Sequence, residues 1–169
     1  MSLQMFMKLE GVEGDSNNYQ HKGWCDIISW NWGMTSNRRS TDVAADDKTS
    51  LNEISVIKPI GSDSPALRLL FAKGAKIPVV EFSVSPILAK REVQTKYMYM
   101  KLEGVVIKSL VSGGSIDDKF FKEHLTMLFD RIRFEFSQNA QVSAEGGAGK
   151  AAVDYNFKWD ASSNSELKE

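Results

Sequence analysis

Apolar and polar positions alternate with period two along most of this chain. Side chains two apart on a strand share a face, so the pattern predicts a fold built mainly of half-buried β-strands. Val80, Phe82 and Val84 alternate with Glu81, Ser83 and Ser85, and Ile132, Phe134 and Phe136 alternate with Arg131, Arg133 and Glu135. Long strands are predicted over residues 77–88, 97–110, 125–136 and 152–159, with Pro86 ending the first of them or lying on an edge. Within 125–136 the apolar set Leu125, Met127 and Phe129 changes parity at Asp130-Arg131, which predicts a β-bulge in a continuous strand. The opening stretch reads as strand, polar loop, then a second strand on which Trp24, Ile28, Trp30 and Trp32 share a face interrupted by Asp26. Rings of that size belong to a core or an interface.

One segment departs from the strand period. Leu67, Leu70 and Phe71 stand at i, i+3 and i+4, which predicts a helix over residues 64–73. Ser64 is the expected N-cap, Pro65 suits the first helical position, Lys73 suits the C-terminal dipole, and Gly74 suits the position after the end. Such a helix either plugs one end of a barrel or lies across its outside. Before it, residues 51–57 form a short strand with Ile54 and Val56 on one face. Residues 35–50 form a long polar connection carrying Arg38, Arg39, Asp46 and Asp47, and a loop of that length is expected to be functional or mobile. MFMKLEGV at residues 5–12 recurs as MYMKLEGV at residues 98–105, yet the sequences diverge at once beyond it. Two strands solving one packing problem explain this better than duplication.

The resulting fold class is mainly β: a single-domain antiparallel β-barrel or sandwich with one short α-helix, spanning residues 1–159. Residues 160–169 form a polar tail expected to be disordered. A chain of 169 residues buries a core without staples. Its net charge of −1 gives no basic surplus for nucleic acid. The single cysteine, Cys25, excludes an internal disulfide framework and suits a reducing compartment. The N-terminus lacks the basic and apolar regions of a general secretory signal, and no apolar run is long enough for membrane insertion.

Candidate chemistry is sparse. His21 and Cys25 form half of a zinc-like spacing without a second pair, so they read as a loop histidine and a buried thiol, while His124 is expected to be partly exposed. Residues 146–150 (GGAGK) resemble a phosphate loop, but Ala144 and Ala151 replace its glycine and hydroxyl positions. Asp117 and Asp118 read as solvated loop acids. No nucleophile, base and oxyanion donor assemble, so the reading is a non-enzyme with no cofactor and no metal.

The order and spacing of several short motifs resemble the Hcp family, the haemolysin-coregulated tube proteins of bacterial type VI secretion. They are the MFMKLEGV start, His21-Lys22, Trp30-Asn31-Trp32-Gly33, Lys58 with the Ser64-Pro65-x-Leu67 helix start, and the Ser112-Gly113-Gly114-Ser115 turn. The family's usual Gly-rich long loop is NRRSTDVAADDK here, and IDDKFFK after the turn is bulkier than usual. The resemblance implies hexameric rings of a small β-barrel, stacked into a tube that a contractile sheath expels behind a spike protein. It implies a lumen that carries or chaperones effectors, and a protein that is cytoplasmic before assembly and then secreted without a signal peptide. On this reading Arg38, Arg39, Asp46 and Asp47 belong to a ring-stacking loop. Ser112, Gly113, Gly114 and Ser115 form a lumen or cargo turn, for which a plain Gly-Gly turn is the favoured alternative. Trp24, Trp30 and Trp32 are buried or interface aromatics. The competing reading is a monomeric β-barrel binding a small apolar ligand.

Overall fold

The computed structural model describes residues 3–36, 49–87, 97–138 and 153–167, and Arg38, Arg39, Asp46 and Asp47 lie outside them. The strands are β1 (Leu3–Leu9), β2 (Cys25–Asp26), β3 (Ser29–Asn31), β4 (Met34–Ser36), β5 (Thr49–Leu51) and β6 (Ile54–Pro59). After the helix α1 (Ser64–Lys73) come β7 (Ile77–Pro86), β8 (Met98–Gly113), β9 (Lys122–Leu128), β10 (Arg131–Gln138), β11 (Val153–Asp160) and β12 (Ser165–Glu166). One antiparallel sheet runs β12-β11-β10-β8-β7-β1-β2, and a second runs β8-β9-β6-β3, so β8 belongs to both. The result is sandwich-like rather than a closed barrel. Between the sheets pack Met7, Val80, Phe82, Met100, Leu102 and Ile132 from one and Ile54, Val56, Leu125 and Met127 from the other.

Two corners join the sheets. In β8 the buried positions shift from Met100 and Leu102 to Val105 and Ile107 across Gly104, whose φ is +66°. Its partner shifts at the same point, from Ile132 to Met127, and the pairs Glu103–Arg131 and Val106–Leu128 keep one register. The parity change at Asp130-Arg131 is therefore a corner made by both strands together, not a bulge. The register shift in this ladder lies between Ile107 and Ser109.

The second corner is the tryptophan segment. The Ile27 N–H donates to the Met5 carbonyl at 3.0 Å, and the Ile28 N–H donates to the Ile57 carbonyl at 2.8 Å, so the chain changes sheets between them. Cys25 and Ile27 point into the core, while Ile28 is exposed. The single face expected for Trp24, Ile28, Trp30 and Trp32 is thus split, because changing sheets resets the alternation.

Two terminal expectations also change. Asp63, not Ser64, is the N-cap of α1, and Pro65 stands in its first turn. The carboxylate of Asp63 makes no capping bond because it is engaged elsewhere. At the other end Gly74, at φ +59°, lets its own N–H and that of Ala75 reach the Phe71 and Leu70 carbonyls. The helix lies against β8 and buries only Leu67 among its apolar side chains. The polar tail is not wholly irregular: Ala161 to Asn164 turn the chain so that Ser165 and Glu166 pair with Asp160 and Trp159. Within residues 35–50, Thr35-Ser36 and Thr49-Ser50 extend the β4–β5 ladder instead of joining the polar connection.

Candidate functional site

Alternation on two neighbouring strands brings charges to the core face. β6 carries Ile54, Val56 and Lys58 inward, β9 carries Glu123, Leu125 and Met127 inward, and their register sets Lys58 opposite Glu123. Lys58 Nζ donates to Glu123 Oε1 at 2.8 Å, to the Pro59 carbonyl at 2.7 Å and to Asp63 Oδ1 at 3.1 Å, which uses its three N–H bonds. Glu123 Oε1 also accepts the Ser64 hydroxyl at 2.7 Å, and its Oε2 faces Arg68 Nη1 at 3.3 Å. The Cys25 thiol donates to Asp63 Oδ2 at 3.2 Å. Two cations therefore meet two carboxylates, with Lys58 1%, Asp63 3% and Glu123 0% exposed.

The electrostatics favour a clamp over a reaction centre. Burial alone would lower the pKa of Lys58, but hydrogen bonds to Glu123 and Asp63, together with their charges, raise it. The Cys25 thiol is pushed up by burial and by Asp63, which disfavours the nucleophilic thiolate. The cluster pins the first turn of α1 to β6 and β9. Glu123 is absent from the candidates read from sequence. Its signal is its place two residues before Leu125 on the apolar parity of β9, just as Lys58 follows Val56 on β6.

A second polar group lies beneath the 11–24 loop. His21 is buried, stacks on Phe6 at 4.1 Å, and places Nε2 2.9 Å from Ser83 Oγ. Its Nδ1 lies 3.4 Å from Asn18 Oδ1. This resembles a nucleophile, a base and its orienting group, yet Ser83 is 0% exposed and no substrate reaches it. His21 is thus the loop histidine expected, with its ring buried on the core. His124 is exposed in β9. No group of three His, Cys, Asp or Glu side chains suited to a metal occurs among the described residues.

The remaining candidates are dispersed. Trp30 and Trp32 pack against the core, Trp32 tilted on Phe129 at 6.3 Å, whereas Trp24 is half-buried with its ring against the His21 edge at 4.9 Å. Ser112 and Gly113 belong to β8 itself, and the turn follows at Ser115, where Asp118 Oδ2 accepts the Ser115 N–H at 2.8 Å. All four residues of the S-G-G-S segment are exposed, and Arg68 donates to the Ser112 hydroxyl.

The described residues thus form a two-sheet, sandwich-like β fold whose buried charge cluster clamps α1 to β6 and β9. Residues 6–153 match the family model described as type VI secretion system effector, Hcp, and the chain belongs to that family. The family is one of secreted type VI tube proteins rather than enzymes. Protein hcp1 of Pseudomonas aeruginosa is 26% identical over 153 residues, covering 89% of this chain and 93% of the relative. A solved structure titled as a type six secretion system protein superposes with a TM-score of 0.84 at 16% identity, covering 98% of this chain and all of the other. Hcp1 from Salmonella typhimurium gives 0.73 at 19% identity, covering 99% and 100%.

Proposed function

We propose that this protein is a tube subunit that closes into hexameric rings, which stack behind a spike protein inside a contractile sheath. The family match over residues 6–153 carries this reading. The protein waits in the cytoplasm, leaves through the type VI machinery, and its ring encloses a lumen that carries or chaperones effectors. Exposed sheet edges at β12 and β3 suit it to pairing between copies. A head-to-tail contact closes into a ring when its rotation permits.

We assign Arg38, Arg39, Asp46 and Asp47 to contact between rings, because the long polar sequence that carries them is ill suited to a core. The Ser112–Ser115 segment is the weaker assignment to the lumen, since Arg68 already engages Ser112. The monomeric ligand-binding alternative needs an apolar cavity, whereas Trp30 and Trp32 pack on filled core. Light scattering behind a sizing column, with negative-stain images of the same peak, tests the reading. A particle six times the 18.9 kDa chain with an open centre supports it, and a monomer at high concentration refutes it. Arg38→Glu with Arg39→Glu should weaken stacking and leave the ring intact.

A further inference from the structure

Two exposed apolar patches lie at the opposite ends of β8. At its C-terminal end are Ile60 (40% exposed), Val111 (62%), Ile116 (98%), Phe120 (47%) and Phe121 (56%). They cluster because Gly113 pairs with Lys122 and the Ile60 N–H donates to the Phe121 carbonyl at 2.9 Å. At the N-terminal end are Leu3, Ile87, Tyr97 and Tyr155, each 40–55% exposed; Leu3 pairs with Pro86 beside Ile87, and Phe136 joins the two tyrosines. Tyr97 meets the Phe136 ring edge-on at 5.0 Å, and Tyr155 follows at 6.4 Å. The strand between them has sixteen residues. At ~3.3 Å per residue that is roughly 50 Å before the corner at Gly104 is counted.

We infer that the Ile116–Phe120 patch of one copy docks on the Tyr97–Tyr155 patch of a second copy, head to tail. The inference takes its choice of partner from the tube-subunit reading. Apolar surface of this extent is seldom left in water, and two unlike patches at opposite ends are what a heterologous contact requires. Charge agrees with the pairing. Lys119 and Lys122 flank the first patch, Asp154 flanks the second, and none of them forms an ion pair among the described residues. Of the two acids in the first patch, Asp118 is turned back onto the Ser115 N–H. Lys122 Nζ lies 5.8 Å over the Phe120 ring, so its charge is presented at the patch itself.

The test is a double variant, Ile116→Cys with Tyr155→Cys, treated when dilute with a flexible bis-maleimide and run on a denaturing gel. Cys25 is 3% exposed and does not compete. The expected result is a ladder of linked chains, with each single variant remaining unlinked because a head-to-tail contact keeps like positions apart, and loss of the ladder when Phe120→Asp is added. A double variant that stops at dimers, or a ladder that survives Phe120→Asp, overturns the inference. Light scattering on untreated protein separates the two readings. A hexamer without a ladder keeps the ring and removes this contact, and a ladder from a monomer keeps the contact and removes the ring. A ladder ending at the hexamer places the contact within a ring, and one running past it places the contact between rings.

Discussion

Lys58→Met isolates the clamp with little change in side-chain volume. It leaves Asp63, 3% exposed, without its cation, and Glu123, 0% exposed, with only Arg68, itself half in solvent. Breaking a buried ion pair from one side costs about 3–5 kcal/mol. The apolar anchor of α1 is Leu67, whose full burial contributes about 2 kcal/mol, with Ala66 and Leu70 packed partly against the core. With urea m-values of about 1–3 kcal/mol per molar, the unfolding midpoint should fall by about 2 M. The assay is urea unfolding followed by tryptophan fluorescence at one fixed protein concentration, since assembly adds concentration-dependent stability. Amide exchange should locate the loosening in α1, and adding Glu123→Gln to Lys58→Met should recover part of the loss by removing an unpaired charge. The sign with pH follows from the raised pKa of Lys58. The stabilisation is complete below the ordinary lysine pKa of about 10.4 and is lost as pH rises through the higher folded value. A midpoint shift below about 0.5 M, or about 1 kcal/mol, with unchanged α1 amides would refute the clamp.

Gly104→Ala should destabilise more than Gly11→Ala. Both glycines have positive φ, which alone costs about 1 kcal/mol for alanine. Only at Gly104 does the new Cβ collide with the Asp130 carboxylate, whereas at Gly11 it meets open space, and thermal melts of the two variants compare them. Asp160 has a pKa lowered to about 2, chiefly by the Ser162 hydroxyl and then by Arg131 and the N–H groups of Ser162 and Ser163, against the opposing effect of burial. Its stabilisation is present above the ordinary carboxylate pKa and is lost as pH falls from about 4 toward 2, so wild-type and Asp160→Asn stability curves should converge there. Cys25 should resist Ellman's reagent at pH 8 in the native protein and react fully in denaturant. Rapid native labelling would contradict its burial.

Alternation made most strands readable, and the i, i+3, i+4 run with its proline and glycine made α1 readable, because each is a local periodicity. The corners were not readable, since a parity change in one strand is equally a bulge or a turn between sheets. Only the matching change from Leu102 to Val105 on the paired strand decides it, and that pairing is long-range. The helix cap shows a similar limit. Ser64 and Asp63 are both good N-caps by type, and the choice depended on Glu123, far along the chain, drawing in the Ser64 hydroxyl. Lys58 and Glu123 follow the core parity of β6 and β9, but each lies just beyond the strand expected from sequence, over 51–57 and 125–136, so the clamp was missed. Nothing in the chain marked them as partners until β6 and β9 were paired.

The repeated octapeptide has a structural account that also explains its one difference. β7 is antiparallel to both β1 and β8, and their registers coincide: Met5 and Met98 oppose Val84, Lys8 and Lys101 oppose Glu81, and Leu9 and Leu102 oppose Val80. Both copies end in a positive-φ glycine followed by a buried valine, Gly11-Val12 and Gly104-Val105. There the similarity stops, because one chain leaves for the 11–24 loop and the other turns the corner into the second sheet. The same neighbour selects the same residues, without a need for duplication. At the variable position, Phe6 is 3% exposed beneath His21, whereas the Tyr99 hydroxyl reaches Glu81 from a half-buried site. Phe6→Tyr forces a hydroxyl under the loop, and an unsatisfied one costs about 1–3 kcal/mol. Tyr99→Phe gives up the hydrogen bond to Glu81 at a half-exposed site and should cost about 1 kcal/mol. Urea midpoints of the two variants measure the difference. Equal losses, or a larger loss at Tyr99, would show that the two neighbours of β7 are not distinguished by what covers them.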